Sequence, residues 1–204
     1  MPIVKNREYR SIINPFDTSP AEKRIQSDFY FEGYATTFDK PYELYEYEGV
    51  KYLEVIGRHA LDDADMSDVI MQYDHQGRVR ARTSNGTLFL EPDNHGLFNY
   101  GDLSRSSAAR ELHEDINSGL ITRMSWAFTV SDDEYDKVNH TRIINKVKKV
   151  YDVSAVSMPA NDATEISARS YFDGVIEMEL RESQERQKEL ELAKAKYFYF
   201  GGHK

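Results

Sequence analysis

Cysteine is absent from this chain of 204 residues. Without thiols there are no disulfides, no thiolate metal sites and no cysteine nucleophile, a usage that fits a cytoplasmic protein. Covalent catalysis, if present, falls to Ser, Thr, Lys or a carboxylate. No apolar run approaches the length of a membrane span, so no membrane association is expected. The opening MPIVKNREYRSIINPF lacks the basic-then-apolar order of a secretory signal, and the protein is expected to act where it is made. Positive charge is in deficit: the formal net charge is -9 at pH 7. That balance excludes uniform attraction to nucleic acid or to an anionic membrane and leaves only local basic patches. Histidine pairs at the close helical spacing of a zinc site are missing, and neither metal nor cofactor is expected.

What is present is 40% hydrophobic and 12% aromatic content, enough for one well-buried domain with an appendage. The pattern is mostly β. FYFEGYATTF, Phe29 to Phe38, is rich in aromatic and β-branched residues and reads as a strand. YELYEYEGVKYLEVI, Tyr42 to Ile56, reads as a hairpin turning near Glu48-Gly49. Further strands are expected at Val69 to Tyr73, Thr87 to Leu90 and Leu97 to Tyr100. One helix stands out in SRSSAARELHEDINSGL, with a serine cap near Ser104, apolar positions at Ala108, Leu112 and Ile116, and Gly119 as its stop. Two long strands follow, ITRMSWAFTV and RIINKVKKVYDVSAVSM. Residues 1–27 read as an N-terminal arm and 28–173 as the folded domain. Residues 174–204, dense in Glu, Lys, Arg and Gln, read as a charged tail, helical or disordered. The expected class is α+β, mainly β.

Side chains alternate between the faces of a strand. Met124, Trp126, Phe128 and Val130 therefore share a core face, while Ile121, Arg123, Ser125, Ala127 and Thr129 share the other, which suits a cleft. By the same rule Val69, Met71, Tyr73 and His75 lie together, with the imidazole at the end of an apolar stripe. Val150, Asp152, Ser154, Val156 and Met158 form a third set, and an aspartate among apolar residues needs a partner. Ser125, His75 and Asp152 have the chemical types for acyl transfer: a nucleophile, a general base and a group that orients the base. Arg123, two residues before Ser125, is a supporting candidate for stabilising negative charge. Blander assignments fit the same pattern: a half-exposed strand serine, a hydrogen-bonded edge histidine, and an aspartate paired with Lys148, Lys149 or Arg123.

The ordered set FEGYATTF, GRHAL, VIMQYDHQ, NHGLF, SGLITRMSWAF and VYDVSAVSMPANDAT resembles the prohead proteases of tailed bacteriophages, over about Phe29 to Ile166. These are capsid-maturation serine proteases, similar in fold to the herpesvirus assembly proteases. The resemblance implies a β-barrel with packed helices, with His75 as the catalytic histidine, Ser125 as the nucleophile and Asp152 at the acidic position before Val-Ser. Family members often carry glutamate there. Gly57-Arg58-His59-Ala60 departs from the family's proline-glycine pair before alanine, which makes His59 a competitor for a histidine role. The implied substrates are scaffold or the major capsid protein precursor, and the protein itself, with the portal as a further partner and a homo-oligomer as a compatible state. The implied setting is the assembling procapsid in the cytoplasm of a bacterial host. His95 and His113 are assigned to a turn and a helix surface. Two rivals stand beside this: an inactive assembly scaffold with the same fold, and a metallohydrolase using His75 with Asp74, His59 or His95.

Overall fold

The computed structural model describes residues 7–13, 16–157 and 162–201. The chain forms two compact units, Met1–Ser167 and Ala168–Lys204. Its elements run β1 (Glu8–Ile12), β2 (Tyr30–Thr37), β3 (Tyr42–Tyr47), β4 (Val50–Ile56), β5 (Ile70–Tyr73), β6 (Gln76–Arg82), β7 (Leu88–Pro92), β8 (Gly96–Asp102), α1 (Ser107–Asn117), β9 (Arg123–Asp136), β10 (Thr141–Val156) and α2 (Asp162–Gly201). The α+β, mainly β class holds. Residues 174–201 lie in α2, a helix of 40 residues, rather than in a disordered tail.

Local chemistry accounts for the clearest elements. Glu48 and Gly49 both take positive φ, 50° and 80°, which makes the β3–β4 connection a two-residue turn of the kind that matches strand twist. In α1 the cap is Ser106, whose hydroxyl accepts from the Ala109 amide at 3.1 Å, two residues beyond Ser104. The helix buries Ala108, Ala109, Leu112 and Ile116, and Gly119 follows it at φ 76°.

The strands form two sheets, one of seven strands ordered β1-β9-β10-β4-β3, with β5 on β10 and β6 on β5, and one of three ordered β2-β8-β7. No closed barrel forms among the described residues, which corrects that expectation. The reason lies in β10: its edge away from β9 pairs first with β4 at Thr141–Ile144 and then with β5 near Asp152–Ala155. The sheet therefore forks and ends in separate edges at β1, β3 and β6. One apolar cluster joins both sheets and α1, drawing on Phe31, Leu88, Leu97, Leu112, Met124, Trp126, Phe128 and Val153.

Beside Trp126 and Phe128 the interior is ionic. Arg10 Nε lies 2.6 Å from Glu54 and its Nη2 2.7 Å from Glu8. Arg142 reaches Glu8 at 2.6 Å, Glu54 at 3.0 Å and Asp133 at 2.6 Å, and the Tyr42 hydroxyl donates to Glu54. Burial pushes the Glu54 carboxyl up, but the two guanidiniums outweigh it and hold it below its usual range. Burial and the Glu54 charge push the Tyr42 phenol well above its own. β1 pairs with β9, Glu8 opposite Phe128 and Arg10 opposite Trp126, and the network ties it across the sheet to Glu54 of β4 and Arg142 of β10. The segment read as an arm thus supplies an edge strand. Its inward positions carry Glu8 and Arg10 where strand alternation leads one to expect apolar residues, so its sequence does not read as a strand. β6 hides differently: its arginines leave too few apolar residues for a strand pattern, although Ala81 does enter the core.

Candidate active site

β9 and β10 pair antiparallel with Ser125 opposite Ser154 and Ala127 opposite Asp152. Met124, Trp126, Phe128 and Val130 enter the core as expected. Ser125 faces the other way, yet it is 2% exposed and Ala127 0%, so this face is closed at the serine rather than an open cleft. β1 runs along it, with Ser11 opposite Ser125. Ile121 precedes the strand and belongs to the core cluster, outside the alternation. In β10 a register shift between Val150 and Asp152 breaks the expected set. The extra residue turns Val150 toward the core with Val153 and Ala155, while Asp152 and Ser154 stay on the Ser125 face. Met158 lies outside the described residues.

His75 arrives by a different device from the one expected. β5 ends at Tyr73, which pairs with Gln76, leaving Asp74 and His75 as a two-residue turn with φ 48° and 56°. Had the strand simply continued, alternation would have kept His75 with Met71 on the core face. The left-handed turn instead carries it to the Ser125 side. Such conformations cost a non-glycine residue roughly 1–2 kcal/mol, and neighbouring bonds hold this one. The Asp74 amide donates to Ala155 O at 3.0 Å, and its carboxylate accepts from the Ser157 amide and hydroxyl, each at 2.9 Å.

The three side chains meet. His75 Nδ1 lies 2.5 Å from Asp152 Oδ1, and Nε2 lies 2.7 Å from Ser125 Oγ. A carboxylate only accepts, so Nδ1 carries the hydrogen and Nε2 presents its lone pair to the serine hydroxyl. Asp152, 3% exposed at its side chain, also accepts from Ser154 Oγ at 2.8 Å on the same oxygen. The Tyr9 ring meets the imidazole edge-on at 4.8 Å, and His75 retains 15% exposure. Ser125 has a second acceptor, the Arg10 carbonyl at 3.0 Å, for its single hydrogen. Ser154, Tyr9 and the Arg10 main chain were missed as neighbours of the site. Ser154 was legible as a face-mate of Asp152, whereas nothing in the sequence marked β1.

The remaining candidates divide. Arg123 stands on the Ser125 face, half-buried, with no hydrogen-bond or ion-pair partner among the described residues. Lys149 pairs with Asp65 at 2.6 Å rather than with Asp152. His59 is exposed and bonds Asp62 at 2.9 Å, and His95 sits in the β7–β8 turn. His113 is not a surface histidine: half-buried, it bonds the Tyr30 carbonyl at 3.0 Å, and burial lowers its pKa.

A model of the family described as caudovirus prohead serine protease matches residues 16–175. The curated prohead protease of Enterobacteria phage HK97 is 30% identical over 87 residues, 42% of this chain and 39% of that protein. The match thus spans about two-fifths of that relative's length. No solved structure matches.

Proposed function

Since the chain belongs to the caudovirus prohead serine protease family, we propose that it is an endopeptidase that cuts scaffold or capsid precursor, and itself, during procapsid maturation. The observation that carries this is the continuous hydrogen-bonded row from Asp152 through His75 to Ser125. Ser125 Oγ attacks the scissile carbonyl as His75 Nε2 takes its proton. The imidazolium then gives that proton to the leaving amine, and water repeats the sequence on the acyl-enzyme. Asp152 fixes the tautomer and stabilises the imidazolium, with Ser154 steadying the carboxylate. Rotation of the Ser125 hydroxyl from the Arg10 carbonyl to Nε2 starts the step. Arg123, without a hydrogen-bond or ion-pair partner among the described residues and two residues from the nucleophile, favours the negative charge that develops on the substrate oxygen.

Its partners are the capsid precursor or scaffold, with the portal as a neighbour, inside the procapsid in the host cytoplasm. The Glu- and Lys-rich segment 174–204 is a candidate for self-trimming. Co-expression of wild type and Ser125→Ala with a capsid precursor, followed by mass measurement of every product, tests this. Cleaved precursor with the wild type alone supports it. An intact precursor and an intact tail in both favour an inactive assembly scaffold.

A further inference from the structure

The imidazole of His75 stands on a left-handed turn and must keep its place while its partners change. At rest two hydrogen bonds hold it, Asp152 at Nδ1 and Ser125 at Nε2. Once Ser125 Oγ is acylated and Nε2 has passed its proton to the leaving amine, the serine oxygen has no hydrogen to offer. One hydrogen bond then remains, and a single bond to one carboxylate oxygen leaves the ring free to tilt about it. A contact on the ring itself would hold it until water takes the open place at Nε2.

Register supplies that contact. Tyr9 of β1 pairs with Ala127, and Ala127 pairs with Asp152, so Tyr9 and Asp152 stand on either side of Ala127 on one sheet face. Two strand spacings separate them, roughly 10 Å at about 4.8 Å each, a gap wide enough for an imidazole. Ala127, fully buried, leaves only a methyl group in that gap. The Tyr9 ring meets the imidazole edge-on, with centroids 4.8 Å apart and planes at 72°. Tyr9 is itself fixed from both sides. Glu8 and Arg10 flank it in sequence and send their side chains to the opposite face, into the ionic cluster, and Arg10 Nη1 donates to the Tyr9 carbonyl at 2.8 Å. The phenol hydroxyl has no hydrogen bond among the described residues, so the ring alone makes the contact.

Resting on the proteolytic reading above, we propose that Tyr9 is a positioning residue for His75: its ring keeps the imidazole against Asp152 through the part of the cycle in which Ser125 no longer bonds Nε2. Tyr9 takes no part in proton transfer. The N-terminal strand is then a component of the active site.

Steady-state cleavage of one peptide by the full-length protein, with the thermal midpoint as a check on folding, tests this in wild type, Tyr9→Phe, Tyr9→Leu and Tyr9→Ala. The worth of an aromatic pair corresponds to about 2–12-fold in rate, so Tyr9→Ala should lose that much in kcat and in kcat/KM alike, with KM unchanged. Tyr9→Phe, which keeps the ring, should match wild type, and Tyr9→Leu should fall between. If Tyr9→Ala is unfolded at the assay temperature, Tyr9→Leu takes its place. Wild-type kcat in the variant lacking the ring, an equal loss in Tyr9→Phe, or a change confined to KM overturns the assignment.

If the wild type cuts no peptide, the proteolytic reading fails and the contact is judged on the ring itself. Ser125→Ala removes the serine from Nε2 and so reproduces the state with one hydrogen bond. In histidine-labelled full-length protein carrying that substitution, the Nδ1–Hδ1 resonance of His75, assigned by its loss on His75→Gln, reports how the ring is held. Its exchange with water should quicken by about 2–12-fold when Tyr9→Ala is added and stay unchanged when Tyr9→Phe is added. Equal exchange with and without Tyr9→Ala, quickening by Tyr9→Phe, or a resonance already lost with Tyr9 in place overturns the positioning role.

Discussion

Replacing Arg10 by methionine probes the ionic cluster that fastens β1 beside Ser125. The cluster holds two guanidiniums, Arg10 and Arg142, against three carboxylates, Glu8, Glu54 and Asp133. The substitution takes it from one excess negative charge to two, in a site where Arg10 is 2% and Glu54 0% exposed. Breaking a buried pair from one side costs about 3–5 kcal/mol. For a domain of this size each kcal/mol moves Tm by about 2–4 °C, so Arg10→Met should lower it by roughly 6–20 °C. The combined Arg10→Met, Glu54→Leu protein restores the original charge balance, and about 2 kcal/mol of the loss should return as coupling between the sites. Thermal unfolding followed by circular dichroism and by the fluorescence of Trp126, the single tryptophan, which pairs with Arg10, gives both values. A fall below about 3 °C for Arg10→Met, or a double substitution costing the sum of its parts, would refute this account of the cluster.

Asp152→Asn should reduce cleavage by about 10²–10⁴-fold with Tm nearly unchanged, because an amide facing Nδ1 favours the tautomer that cannot accept from Ser125. Asp152→Glu, which keeps the charge, should retain more activity than the asparagine form, and steady-state rates on one peptide rank the two. Glu54 is held below its ordinary value of 4.5, so its contribution is complete above that pH and lost as pH falls through the lower folded value. Urea midpoints should decline below pH 4.5, and less steeply in the Arg10→Met, Glu54→Leu protein. Asp74→Ala places alanine at φ 48° and removes the bonds to Ser157, so it should cost about 1–2 kcal/mol and lower kcat by loosening His75. An Asp74→Ala protein with unaltered kcat would mean that the turn does not position the imidazole.

Much of the candidate site was legible because its strands obey simple periodicity. ITRMSWAFTV separates into the Trp126 face and the Ser125 face by alternation alone, and the structure keeps that division from Met124 onward. Alternation failed wherever the backbone left the regular strand. The bulge at Val150 shifted the phase of β10, and the Asp74-His75 turn moved the imidazole to the other side of the sheet. Asp and His both tolerate left-handed φ better than most residues, so YDHQ carried a turn signal that the apolar run before it obscured. β1 was illegible for a physical reason: Glu8 and Arg10 are buried only because Glu54 and Arg142, distant in sequence, neutralise them. A barrel was expected from the family resemblance, but closure depends on which edge each strand leaves free. Here β10 divides one edge between β4 and β5.

The central claim is that His75 and Asp152 make Ser125 a nucleophile. A fluorophosphonate probe, applied to wild type, His75→Ala, Asp152→Asn and Ser125→Ala, reads this directly by intact mass and peptide mapping. The account predicts one adduct on the wild type, mapped to Ser125, a much slower rate in Asp152→Asn, and no adduct in His75→Ala or Ser125→Ala. Labelling of Ser125 at the wild-type rate in His75→Ala, or an adduct on a different residue, would contradict it.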